Sequence, residues 1–415
     1  MERFTGLLGI ILLLLLAFLL SNNRKAINYK TVGVGLLSQI LLAVFVLKVP
    51  LGQKIVLAIG LFIQKVLEFA QVGGRFAFGN LIDDSHIFIV QLICSIIFMM
   101  VIVNILYYYK IMQRVILVLG KAMNKLMDLS GAEAFSAVAN AFVGQIVAQV
   151  MIKPYLEKLS KSELLSSMTG SMACLSGALI PVYIAMGVPA QYVLASSIMA
   201  IPGAIVTSKI VFPETTVPET AEGMRISRRK PFINVFAAIS SGASEGIMVA
   251  IKVSAMLVAL IALVAMIDWI LGGFGNFLYN TCHVTAPVLG LDLQNLSLKM
   301  ILGKIFAIFA ISIGVPISEA TNVGSLMGTK IVLNEMVAYV EMISLKDVLS
   351  PKSFMIATFA LCSFGNFGSI AMQIGGIGEL APNQRKNLAK LGLRALICGT
   401  MTCYISAAIA GILFS

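Results

Sequence analysis

The side chain with the most chemistry to offer in this chain is Glu319, a carboxylate set within SIGVPISEATNVGSLMG (residues 312–328) in an otherwise apolar region. An ionisable group at membrane depth is costly unless it is paired or solvated, so it marks a functional site by default. Gly314 and Pro316 break the helix just before it and free backbone groups to line a polar pocket. A second constellation is CSFGNFGS (residues 362–369), where Asn366 and Ser369 stand among glycines beside Phe364 and Phe367. Amide and hydroxyl groups next to aromatic rings suit a ligand that has both hydroxyls and a flat ring. A third is ANAFVGQIVAQ (residues 139–149), where Asn140, Gly144 and Gln145 offer polarity without charge, suited to an ion or to hydroxyls. Taken singly, each polar set also fits helix-to-helix contact in a membrane; two of them on opposed hairpins point to a site. There is no phosphate loop, metal-ligand spacing, nucleophile elbow or close acid pair with a histidine, so enzyme chemistry and ATP hydrolysis are not expected.

The elements that position these groups must lie in lipid. Of 415 residues, 59% are hydrophobic and 12% charged, and the mean hydropathy of +0.97 is too high for a water-facing surface. Apolar runs long enough to cross a bilayer as helices recur along the chain, giving an all-α polytopic membrane protein. The first, residues 6–20, lacks a basic leader and a cleavage site and is expected to be retained. The net charge of +11 sits in short loops, which is the bias of membrane topology and no sign of a nucleic-acid partner. The scattered cysteines and the two histidines, His86 and His283, suggest neither a disulfide framework nor a metal.

Clean spans are expected at residues 6–20, 31–49, 86–109, 190–212 and 248–271. Arg24, Lys25 and Lys30 after the first, and Lys110, Arg114, Lys121 and Lys125 after the third, place those ends in the cytoplasm and both termini outside. A full crossing at 131–161 would put Arg225, Arg228, Arg229 and Lys230 outside, and one near 301–320 would expel Arg385, Lys386, Lys390 and Arg394. A re-entrant hairpin at each position restores the charge rule, and the two enter from opposite sides as an inverted repeat. Residues 53–71 and 112–127 are amphipathic and expected at the interface. The polar stretch 213–231 joins the halves as a cytoplasmic linker. The expected organisation is therefore scaffold and interfacial helices over 1–130 and a first hairpin with two spans over 131–212. Linker, interfacial helix and scaffold helix follow over 213–296, and a second hairpin with two spans over 297–415.

Several motifs share one further property. SNNRKAIN (residues 21–28), FVGQ (142–145), PET (213–215), GASEGIMVAIKVSAML (242–257), GVPISEA (314–320), KIVLNEMVAY (330–339) and SFGNFGSI (363–370) occur in an order that resembles bacterial concentrative nucleoside transporters, nearly end to end. The resemblance implies a homotrimer in the bacterial inner membrane, each chain with about eight transmembrane helices, two opposed re-entrant hairpins and interfacial helices. It implies secondary active import of nucleosides with a cotransported cation and no other cofactor. By the same resemblance Glu319 and Asn366 hold ribose hydroxyls, Gln145 bonds the base, Leu179 and Phe364 pack on the nucleoside, and Ser369 completes the site. A cation would lie near Asn140, the Val143 carbonyl and Cys174. Where the family has a hydroxyl residue and a glutamate after Gly144-Gln145, this chain has Ile146 and Val147, and a sodium-binding serine falls at Cys174, a poor ligand for a hard cation. Proton coupling, with Glu319 as carrier, is therefore expected ahead of sodium, with sodium coupling or a changed, non-nucleoside substrate as the alternative.

Overall fold

A computed structural model describes residues 2–82, 88–221, 232–280, 293, 294 and 296–414. His86, Cys282, His283 and the basic run from 225 to 230 lie outside the described residues. No strand occurs among those described. Helices α1 (Glu2–Leu19), α2 (Tyr29–Leu47), α3 (Pro50–Phe78), α4 (Phe88–Tyr108) and α5 (Ile111–Met127) come first. Next stand α6 (Gly131–Val143), α7 (Gln145–Met151), α8 (Lys153–Leu156), α9 (Lys161–Ala173), α10 (Ile180–Ala185) and α11 (Ala190–Val211). The long α12 (Val235–Asn280) leads to α13 (Leu298–Ser312), α14 (Ile317–Val332), α15 (Glu335–Ser344), α16 (Pro351–Leu361), α17 (Phe367–Leu380) and α18 (Arg385–Leu413).

The chain is a multi-pass membrane protein, with six described helices long and apolar enough to cross a bilayer. One of them is α3 with its 3-10 extension, where the charges at Lys54, Lys65 and Glu68 argued for an interfacial helix. Those charges occupy the outer face, Lys65 and Glu68 pairing at 2.5 Å, while Gly52, Val56, Gly60, Val66, Leu67, Ala70 and Gly74 form one buried stripe. Helix α12 runs 46 residues, well beyond the expected span at 248–271. It packs on α4 through Gly242 and Gly246, whose missing side chains admit the backbone at Val101 and Ile97. Small residues every fourth position are how helices approach closely where lipid supplies no hydrophobic drive.

Two units of the same plan form the interior. In the first, α6 and α7 reverse at Gly144, α9 and α10 are one helix broken at 174–179, and α11 follows. In the second, α14 and α15 reverse at Leu333 and Asn334, α16 and α17 are broken at 362–366, and α18 follows. The second unit carries an extra turn in front, because α13 folds back on α14 with a bend of 116° around Gly314 and Pro316. Gly303, Gly324 and Gly328 bring α13 and α14 into contact along their length. The reversal that reaches the other unit is thus the one at Leu333–Asn334, beyond the end of the segment 301–320 that charge parity selected. Neutral hydrogen bonds stitch the closing helices in place: Thr207 of α11 to Thr402 of α18 at 2.9 Å, Ser166 of α9 to Ser208 of α11 at 2.9 Å, and Gln39 of α2 donating to Ser406 of α18 at 2.8 Å.

At the base of the first hairpin, Lys209 pairs with Glu133 at 2.8 Å and donates to Ser162 at 2.9 Å. Glu214, just beyond α11, accepts from Ser160 at 2.5 Å and from Thr216. Burial acts to raise its carboxyl, but the hydrogen bonds from Ser160 and Thr216 and the Lys209 charge outweigh it and hold the group below the usual carboxylate range. A depressed folded-state value contributes stability above the unfolded value of about 4.3, and that contribution is lost as pH falls through the folded value. Glu214→Gln protein is therefore expected to melt roughly 1–3 °C below the native chain at pH 7, a loss on the order of 1 kcal/mol. Thermal melts at falling pH should show the gap closing below about pH 4; a gap that persists there would remove Glu214 from this role.

Candidate functional site

The two broken helices and the two hairpin turns converge in the middle of the interior. Gly144 takes φ +86°, which a side chain rarely tolerates, and a Cβ there would press on Ser176. That turn is fastened to the α9–α10 break, where the Gly177 amide donates to the Ala141 carbonyl at 3.1 Å. The second turn restarts helix without glycine. Asn334, in extended conformation, accepts from the Val337 amide at 2.9 Å and caps α15, which places Glu335 in its first turn, where the helix dipole favours a negative charge.

Glu335 is 5% exposed. Tyr183 of α10 donates to its Oε1 at 3.0 Å, and the Asn366 amide donates to its Oε2 at 3.4 Å. Asn366 in turn caps α17: its Oδ1 accepts from the Ser369 amide at 2.9 Å and the Ser369 hydroxyl at 3.2 Å. The single Ser369 hydroxyl proton is shared between that oxygen and the nearer Phe364 carbonyl at 2.5 Å. The rings of Tyr183 and Tyr339 lie 4.9 Å apart and tie α10 to α15. One carboxylate, one amide and two hydroxyls from three separate elements thus meet at the breaks, an arrangement able to hold vicinal hydroxyls of a ligand.

Of the residues singled out in the sequence, Asn366, Ser369 and Phe364 share this cluster, and Leu179 sits at the α9–α10 break one turn before Tyr183. Gln145 begins α7 at the first turn, 8% exposed, with its Oε1 buried and unpaired. Glu319 is elsewhere: its Oε2 accepts from the Ser350 amide at 3.1 Å and hydroxyl at 3.0 Å, at the start of α16. The carboxylate beside Asn366 is Glu335, which stood inside KIVLNEMVAY and was not singled out. Its signal in the sequence was an Asn-Glu step, the pattern of a cap and first turn, in the middle of an apolar stretch. Glu335 and Tyr183 are the two members of the cluster that the sequence reading missed.

Of the residues considered for a cation, Asn140 stands in a closed neutral network with Ser167, Ser171 and Gln149. Asn140 donates to the Ser167 carbonyl at 3.3 Å, and its Oδ1 accepts from Ser171 at 2.9 Å. Ser167 donates to Gln149 at 2.8 Å. Cys174 is buried at the C-terminal end of α9. Val143 ends α6, and beyond the turn Ile146 presses into the space left by Gly376 of α17. Val147 is 47% exposed.

Paired hairpin-and-broken-helix units around one buried polar site are the plan of polytopic carriers of the secondary-transport class. Family models for the Na+ dependent nucleoside transporter match at residues 8–81 (N-terminus) and 192–411 (C-terminus), and a nucleoside recognition (gate) model matches 89–190. The chain is 36% identical to the Helicobacter pylori nucleoside permease NupC, covering 98% of this chain and 97% of that one. It is 39% identical to the Bacillus subtilis uncharacterized transporter YutK, covering 99% of both. The structure of CNTnw in an inward-facing substrate-bound state superposes with a TM-score of 0.90 at 38% identity, covering 100% of this chain and 98% of that one. The chain belongs to the concentrative nucleoside transporter family, whose members are carriers and not enzymes.

Proposed function

We propose that this protein imports nucleosides across the bacterial inner membrane by coupling them to a proton gradient. The observation that carries this reading is the Glu335 carboxylate held between Tyr183 and Asn366, where the two units meet. Glu335, Asn366 and Ser369 take the ribose hydroxyls, Gln145 bonds the base, and Leu179 and Phe364 pack against the nucleoside. The protein works as a homotrimer with both termini on the outer side. Eight crossings per chain are supplied by α1, α2, α4, the broken pairs α9–α10 and α16–α17, and α11, α12 and α18, while α3, although long and apolar enough to cross, lies along the interface with its exposed Lys54, Lys65 and Glu68 toward water. The opposed hairpins are α6–α7 and α14–α15.

Proton coupling is favoured by the Asn140 network. The amide oxygen that would face a sodium ion already accepts from Ser171, and Cys174 offers sulfur where a hard cation needs oxygen. Glu319 and Glu335 are both able to carry the proton, and of the two it is Glu335 that touches Asn366. The test is uptake of radiolabelled uridine into proteoliposomes under separately imposed gradients. Accumulation is expected with an inward proton gradient and not with an inward sodium gradient; the reverse result would return the Asn140 region to sodium binding. A second reading, a changed substrate, rests on Ile146 and Val147, which leave Gln145 as the polar base contact of the first hairpin. It predicts that unlabelled nucleosides of every base fail to compete with whatever the protein transports.

A further inference from the structure

Lys330 is the most deeply buried cation of the described residues, at 0% exposure, and no acceptor lies within hydrogen-bonding distance of its Nζ. A buried ammonium without a partner is costly, so its retention needs a reason. It stands in the last turn of α14, four residues before the Asn334 turn, and Asn140 stands four residues before the Gly144 turn. The inverted repeat therefore puts Lys330 and Asn140 at equivalent places on their hairpins. Asn140 leans on the broken helix of its own unit, at Ser167 and Ser171 of α9. Lys330 likewise leans on its own broken helix: its Nζ is 3.4 Å from where a Cβ would sit on Gly365, between α16 and α17. The same Cβ position is 3.2 Å from the Met172 carbonyl at the end of α9. The ammonium thus reaches the zone where α9 and α16 both end, and helix C-termini carry partial negative charge from unpaired carbonyls. Gly365 adjoins Asn366, which donates to Glu335, so the ammonium and the carboxylate reach the same helix break from the two sides of the Leu333–Asn334 turn.

We propose that Lys330 is a positioning residue: a cation tethered to the second hairpin that sits where the half-helix ends α9 and α16 meet and compensates the Glu335 carboxylate, holding it toward Asn366. The first unit fills the equivalent place with a neutral amide already satisfied by Ser171. The inference rests on Glu335 as the nucleoside contact, and the experiment separates failure of the one from failure of the other.

Two measurements on purified full-length protein test it. In the first, uridine binding is measured by equilibrium dialysis for the native chain, Lys330→Met and Lys330→Ala. The methionine fills the lysine's volume without charge, and binding is expected to weaken at least tenfold. Propylammonium, but not the isosteric 1-propanol, is expected to restore at least a third of the lost affinity in Lys330→Ala, a response that a packing role does not produce. Lys330→Met binding within twofold of native, or equal rescue by the alcohol, would overturn the proposal. In the second, thermal melts of Lys330→Met, Glu335→Gln and the double variant need no substrate. The double variant is expected to melt above Lys330→Met, because removing the carboxylate relieves the uncompensated charge; additive losses would overturn charge compensation. If the native chain binds no uridine while the melts show the coupling, the substrate reading fails and the role of Lys330 stands.

Discussion

Glu335→Gln protein is expected to lose uridine uptake by at least a hundredfold while remaining folded. The native carboxylate accepts from Tyr183 and Asn366 and retains lone pairs for a ligand; the neutral amide turns one acceptor into a donor facing donors. A hydrogen bond to a charged group contributes about 1.5–3 kcal/mol, and two ribose hydroxyls on one carboxylate would multiply to a factor on the order of 10²–10⁴. Initial-rate uptake in proteoliposomes checks this, with Glu319→Gln as the comparison. Since Glu319 is occupied by Ser350 at the start of α16, its substitution should act mainly on stability. A Glu335→Gln rate within threefold of native, with Glu319→Gln inactive, would move the substrate contact to the earlier turn.

Lys209→Met is expected to destabilise the protein by about 3–5 kcal/mol, the cost of breaking a buried pair from one side. The two side chains are 8% and 2% exposed and 2.8 Å apart, and the methionine leaves Glu133 in the interior with its charge unmatched. Ser162 loses its donor from Lys209 at the same time, so α11, the base of α6 and the start of α9 come apart together. Lys209→Met/Glu133→Gln should recover most of the loss, because a neutral pair carries no such penalty. Chemical denaturation in detergent micelles measures both; a single-variant loss below about 1 kcal/mol would mean that water already reaches Glu133.

Much of this architecture was legible because its causes are local. Apolar runs mark helices, as α1, α2, α4 and α11 follow the expected spans within a few residues. The Gly144 turn was visible because only glycine takes that backbone readily. The turn at Leu333 and Asn334 was not, since it uses ordinary residues with φ −103° and −167°, and nothing in their types announces a reversal. Glycine and proline drew attention to Gly314–Pro316, where the chain does bend, and with it to Glu319. The cost of a carboxylate in lipid was the right criterion, but it applies equally to Glu335, and only the fold says which of the two meets Asn366. The ends of α12 were illegible for another reason: an apolar helix with one small-residue stripe carries no stop signal where it leaves the apolar layer.

Ile146 and Gly376 are a matched set. The isoleucine of the first hairpin occupies the volume that any side chain at 376 would need, so a change at one position constrains the other. Transplanting a hydroxyl residue and a glutamate into 146 and 147 would leave a void against α17 that a small residue such as alanine at 376 has room to fill. The tip of the first hairpin and the far half of the second broken helix are therefore coupled through one shared volume, so that a change of size at 146 is tolerated best with an opposite change at 376.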